Sequence, residues 1–199
     1  MDRVEAMVEK LMDGVFLEVE ASGRHVHLTE AAAQALFGHS LTEKRPLSQP
    51  GQYVCNERVS LRGPKGELHK VAVLGPCRKE NQVELSLTDC VSLGITAPVR
   101  LSGQVQDTPG ITLFCEGREL QLTQGVIVAK RHIHMHAQDA KKRGIADGAE
   151  VRLQVLGSRP VTFEKVPVRV HPNFATYAHL DYDEANACGL RKGDLGLIL

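Results

Sequence analysis

Apolar residues recur at Val4, Met7, Val8, Leu11 and Met12. That spacing predicts an amphipathic helix over residues 1–14, ending at Gly14. The period then changes. VFLEVE alternates as a strand does, and TEAAAQALFG reads as a short helix with Thr29 as its N-cap and Gly38 as its terminator. From there to residue 130, β-branched and Leu-rich runs (HKVAVLG, QVELSL, QGVIVA) alternate with the turn signals QPGQ, RGPKGE and DTPG. A second short helix is predicted in AQDAKKRGI, followed by strands in AEVRLQVLG, PVTFEKVPVRV and ATYAHLDY. Many short strands and few short helices predict a mainly β fold, built as β-barrels with helical caps.

The pattern repeats. Arg24-His25-Val26-His27-Leu28 matches Arg131-His132-Ile133-His134-Met135, and a helix-like stretch follows each. A second pair of segments aligns without gaps. KVAVLGPCRKENQVELSLTDCVSLGI starts at Lys70, and KVPVRVHPNFATYAHLDYDEANACGL starts at Lys165. Together they describe an internal duplication giving two similar barrels.

The duplication has a chemical consequence, because it places Glu84 on His179. Each copy then offers His-x-His and one further ligand type from a later strand: His25, His27 and Glu84 in the first, His132, His134 and His179 in the second. Residues two apart on a strand point to the same face, so His-x-His can clamp one ion. Three protein ligands with an open position form the pattern of a catalytic zinc site. Glu84 is out of phase with Val83, Leu85 and Leu87, so it is expected to point away from their apolar face. His136 aligns with Thr29 and is read as a helix cap or a neighbour of the site, not as a ligand.

Charge narrows the partners. Lys plus Arg number 24 and Asp plus Glu number 24, so no bulk electrostatic case exists for nucleic acid or an anionic membrane. Trp is absent, which argues against base stacking on aromatic platforms. No apolar run approaches the roughly 20 residues of a membrane span, and the N-terminus lacks the features of a secretory signal. Five widely spaced cysteines without a C-x-x-C fit a reducing cytosol and small core residues. Cys77 stands beside Arg78 and Lys79 in LGPCRKENQ, but the core reading is preferred for it too. Arg78, whose planar fork suits phosphate or carboxylate, is the candidate anion-binding residue. RGPKGE is a turn whose Lys65 could meet a phosphate. Neither a Walker A loop nor G-x-G-x-x-G nor G-x-S-x-G is present.

The motifs SGRHVHL, LSQPGQ, VLGPCRKENQVELSLTD, TPGITL, GVIVAKRHIHM and DEANA, in this order from about Ser22 to Asn186, resemble the PduL-type phosphotransacylases, or phosphate propanoyltransferases. The resemblance implies reversible transfer of a short acyl group between coenzyme A and phosphate, with propanoyl-CoA or acetyl-CoA and the acyl phosphate as substrates. It implies a first barrel over 24–129 and a second over 15–23 plus 130–199. Two zinc ions per chain would be held by the two triads above. Arg78 would bind phosphate as a catalytic residue, and Ser22, Gly23, Arg24, Leu74, His179 and Asn186 would line the CoA site. Ala72 stands where relatives often carry Arg, with Lys70 as the nearby cation. The resemblance places the protein in the bacterial cytoplasm or inside a bacterial microcompartment. The helix over residues 1–14 either packs on the body of the protein or docks on microcompartment shell or core proteins, and pairing of barrel edges would give a homodimer. Two other function classes fit the same ligands: a zinc-dependent hydrolase of acyl phosphates or thioesters, and a non-catalytic metal-stabilised module.

Overall fold

A computed structural model describes residues 14–199 of the chain. The helix expected over residues 1–14 lies outside the described residues except for Gly14. The described chain divides into two compact units, one of residues 23–130 and one that joins residues 14–22 to Arg131–Leu199.

In the unit of residues 23–130, a curled sheet runs in the order β7-β10-β6-β2-β5-β4-β8-β9, with β3 on the side of β4. The strands are β2 (His25–His27), β3 (Glu43–Pro46), β4 (Tyr53–Arg62), β5 (Glu67–Gly75), β6 (Gln82–Leu85), β7 (Val99–Arg100), β8 (Ile111–Cys115), β9 (Arg118–Leu122) and β10 (Val126–Ala129). Two helices cap it, α1 (Glu30–Phe37) and α2 (Leu87–Leu93). The core is aliphatic and includes Val26, Leu28, Leu61, Val73, Val83, Leu85 and Leu113.

The other unit is a closed six-stranded barrel, β1-β14-β11-β13-β12-β15. Its strands are β1 (Phe16–Ala21), β11 (His132–His136), β12 (Glu150–Val155), β13 (Val161–His171), β14 (Tyr177–Leu180) and β15 (Leu195–Ile198). Its helices are α3 (Ala137–Arg143) and α4 (Tyr182–Cys188). Ile133, Met135, Leu153, Val166, Val168 and Leu180 fill its interior. The duplicated mainly β scaffold is therefore present, with one sheet closed and the other open.

The duplication extends to contacts between side chains. β2 lies between β5 and β6 as β11 lies between β13 and β14. Lys70 and Lys165, which open the aligned segments, both adopt left-handed backbone, at φ 56° and 52°, beside register shifts in β4·β5 and β12·β13. Arg24 pairs with Asp89 of α2, and Arg131 pairs with Glu184 of α4. The strand preceding each His-x-His is exchanged. β1 runs parallel to β14, with Glu20 opposite His179, while β10 runs parallel to β6, with Ile127 opposite Glu84.

Helices α2 and α4 are not among the elements predicted from sequence; the strand runs QVELSL and ATYAHLDY overlap them only at Leu87 and Tyr182. Each has a local start signal, Ser86-x-x-Asp89 and Asp181-x-x-Glu184, and both form full capping boxes. The alternation of QVELSL accordingly breaks at Ser86. Leu87 is exposed on α2 and does not continue the buried face of Val83 and Leu85.

Candidate functional site

Alternation along β2 sends Val26 into the core and turns both flanking histidines to the opposite face. Antiparallel pairing with β6 sets His25 opposite Glu84 and His27 opposite Gln82. His25 Nε2 and His27 Nε2 lie 3.4 Å and 3.8 Å from the same oxygen, Glu84 Oε1. Zinc bonds of the usual length place tetrahedral ligands roughly 3.3 Å apart, so this donor set fits a divalent ion with little movement. His25 Nδ1 donates to the Gly23 carbonyl at 2.8 Å, which turns Nε2 toward Glu84. Fixing one ring nitrogen in this way is how ligating histidines are oriented.

In the barrel, β11 and β14 repeat the arrangement. His132 is opposite His179 and His134 opposite Tyr177. The three imidazoles cluster, with ring centroids 4.5 Å (His132–His134), 5.1 Å (His132–His179) and 5.0 Å (His134–His179) apart. In each triad, one donor atom per residue lies within 4.8 Å of the others. The carboxylate of Glu20 approaches His179 Nδ1 to 3.9 Å. Sequence reasoning missed Glu20, because it reaches His179 only through the exchanged strand.

Electrostatics differ along the first triad. Burial lowers the His25 pKa, but the charge and hydrogen bond of Glu84, with the Gly23 carbonyl, outweigh it and leave the pKa raised. His27 is held well below its ordinary value by burial, aided by His25 and Arg78, with Glu84 offsetting only part. Burial also acts against ionisation of Glu84, yet His25, His27 and the Ser102 hydroxyl hold its pKa far below the usual carboxylate range. The acid is therefore ionised and ready to act as a ligand.

Arg78 sits in the loop between β5 and β6, and its backbone N–H donates to the Leu28 carbonyl beside the triad strand at 2.8 Å. Its Nη1 donates to Ser102 Oγ at 2.8 Å. Gln82 donates to Glu84 Oε1 at 2.6 Å and to Ser102 Oγ at 2.8 Å. Ser102 and Gln82 were also missed from sequence; their pairing with Arg78 and Glu84 is long-range.

The remaining candidates occupy varied places. Leu74 is half-buried on β5, and its backbone lies against His27. The Ser22 N–H donates to the Leu180 carbonyl at 2.6 Å, and Asn186 is exposed on α4. The guanidinium of Arg24 is engaged twice by Asp89, at 2.8 Å and 3.1 Å. Because Arg131 and Glu184 duplicate that pair, it belongs to the scaffold. His136 is the N-cap of α3, its Nδ1 accepting from Gln138 N at 3.1 Å. Thr29 caps α1 in the same way. Lys65 lies in the β4–β5 turn, its N–H bonded to the Leu93 carbonyl at the end of α2. Burial, then Glu30, pushes the Cys77 thiol up to about 11, which leaves it a poor nucleophile at neutral pH.

The pattern that defines the phosphate propanoyltransferase family matches residues 18–191. Phosphate propanoyltransferases of Listeria monocytogenes and Clostridioides difficile are 52% and 50% identical to this chain. The alignments cover 98% of it in both cases, and 93% and 95% of the respective relatives. That of Thermotoga maritima is 45% identical over the whole of this chain and 96% of its own. A match of this extent, over a span that includes both triads, establishes that the chain belongs to the phosphate propanoyltransferase family of acyltransferases.

Proposed function

We propose that this protein interconverts a short-chain acyl-CoA plus phosphate with an acyl phosphate plus CoA, using both triads as zinc sites. The observation that carries the reading is the register. His25 opposite Glu84 and His132 opposite His179 occupy equivalent places in a duplicated scaffold. Each set is completed by a His two residues on, so each presents three donors to one point. Ions in these triads would supply Lewis-acid polarisation of a thiol sulfur and of an acyl or phosphate oxygen.

The chain's own groups account for the rest. Arg78 binds the phosphate dianion through its planar donor fork and orients one oxygen toward the thioester carbonyl carbon. The new C–O bond forms as the C–S bond breaks, and CoA leaves as the thiolate. In the other direction the CoA thiolate attacks the acyl phosphate, and Arg78 holds the departing phosphate. Ser22, Gly23, Leu74 and Asn186 are assigned to CoA contacts. Arg24 keeps that assignment only through its backbone, since its guanidinium serves Asp89. Residues 1–14 are assigned to docking inside a microcompartment, and the protein to a homodimer.

Replacing His25 or His132 by Ala tests the reading. Each variant should lose about one of two bound metal ions per chain and at least about 10- to 100-fold in CoA-dependent acyl transfer. Transfer at the parent rate by either variant overturns the proposal. Acyl phosphate turnover that does not require CoA assigns a hydrolase instead.

A further inference from the structure

The duplicated scaffold serves as its own control. Polar contacts that the fold requires occur twice: Arg24–Asp89 and Arg131–Glu184, and also Thr29 N to Asn81 and His136 N to Thr176. Polar contacts that occur once are not demanded by the part of the fold that the two copies share. One of these surrounds Gln82, which is only 2% exposed. Its amide N–H groups reach Glu84 Oε1 at 2.6 Å and Ser102 Oγ at 2.8 Å, and its oxygen accepts from Gly103 N at 2.7 Å. Ser102 Oγ accepts in addition from Arg78 Nη1 at 2.8 Å. A buried primary amide is costly unless both its ends are satisfied, and here both are.

The equivalent positions of the second copy carry other residues. Tyr177 stands where Gln82 does, opposite His134 as Gln82 is opposite His27. Asn173 aligns with Arg78, and the aligned segment ends before any counterpart of Ser102. The barrel places its own three donors together without this chain of bonds, so convergence of the triad does not require it.

We propose that Gln82 and Ser102 are positioning residues that fix the Arg78 guanidinium relative to Glu84. Gln82 anchors the Ser102–Gly103 turn by both its hydroxyl and its backbone. The turn in turn holds one edge of the guanidinium, while the same amide holds the Glu84 carboxylate. The anion-binding arginine and the metal-binding carboxylate thereby become one rigid frame, set for a phosphate at a fixed offset from the first triad. This inference rests on the assignment of phosphate to Arg78.

The test uses the full-length, zinc-loaded protein and measures KM for phosphate and KM for acyl-CoA separately, with bound zinc alongside. Ser102→Ala frees the guanidinium edge and should raise KM for phosphate about 10-fold, as loss of an orienting partner does, at unchanged KM for acyl-CoA and unchanged zinc. Ser102→Thr keeps the hydroxyl and should restore phosphate affinity, which a purely structural loss would not predict. The inference is overturned if Ser102→Ala leaves KM for phosphate unchanged while Arg78→Ala raises it, or if Ser102→Ala raises both KM values alike. Should Arg78→Ala itself leave KM for phosphate unchanged, the assignment of phosphate to Arg78 falls, and this inference with it.

Discussion

The two triads are copies that have diverged in charge. One consists of two histidines and a buried carboxylate, tied to an amide, a hydroxyl and an arginine. The other consists of three histidines, with a half-exposed carboxylate, Glu20, behind the third. The strands beneath them have the same neighbours and the same pairing. The β framework thus fixes where three donors converge, and substitution at single register positions sets what each cluster can bind. An anionic ligand such as Glu84 neutralises part of a bound cation and suits a site with an arginine at hand. Three neutral imidazoles leave the cation's charge in place, which suits polarising an oxygen.

Making the first triad a copy of the second is the largest perturbation of this difference. Glu84→His removes the acceptor of Gln82 and the negative charge between His25 and His27, while keeping a nitrogen donor. Acyl transfer should fall about 10- to 100-fold although the metal content measured by atomic absorption stays the same. Loss of the metal together with the activity would mean that the triads are not interchangeable as ligand sets.

A smaller effect tests what the copies share. Arg24→Ala and Arg131→Ala each strand a carboxylate that caps the helix after the third ligand. Both should destabilise by a similar amount, about 1–3 kcal/mol in denaturant titration. Burial raises the Glu184 pKa, and Arg131 opposes that rise. In Arg131→Ala the folded pKa climbs further above the unfolded value. The folded state then holds more protons, so stability falls as pH rises through the window above about 4. The penalty of Arg131→Ala should be small at about pH 4 and larger at about pH 7. A penalty independent of pH would show that packing, not the ion pair, is what Arg131 provides.

The smallest effect concerns the caps. Thr29→Ala and His136→Ala each remove a side chain that accepts a bond from the first turn of a helix. Each should cost about 1 kcal/mol, read from the denaturation midpoint, with bound metal unchanged. A fall in metal content in His136→Ala would make His136 a ligand.

The duplication was legible because both copies keep their spacing: Arg-His-x-His-x, then Lys-Val-x-Val with the third ligand fourteen residues after that lysine. The caps of α1 and α3 were legible for the same local reason. Helices α2 and α4 were legible in principle through Ser86-x-x-Asp89 and Asp181-x-x-Glu184. Their short stretches carry too few apolar residues to show a helical period, and the strand runs before them extend to Leu87 and Tyr182. Glu20, Gln82 and Ser102 gave no signal, because each gains its role from a partner on another strand or loop. The pairing of Arg24 with Asp89 gave no signal either, because it joins residues 65 apart in the chain.

Sequence alone determined which donors exist and that each His-x-His shares one face, because alternation of side chains is a property of the strand itself. Only the tertiary structure decided that both histidines meet a single oxygen of Glu84. It alone decided that one sheet closes while the other stays open. Register and closure depend on which distant segments pair, and that choice is made by the burial of whole faces rather than by any local run of residues.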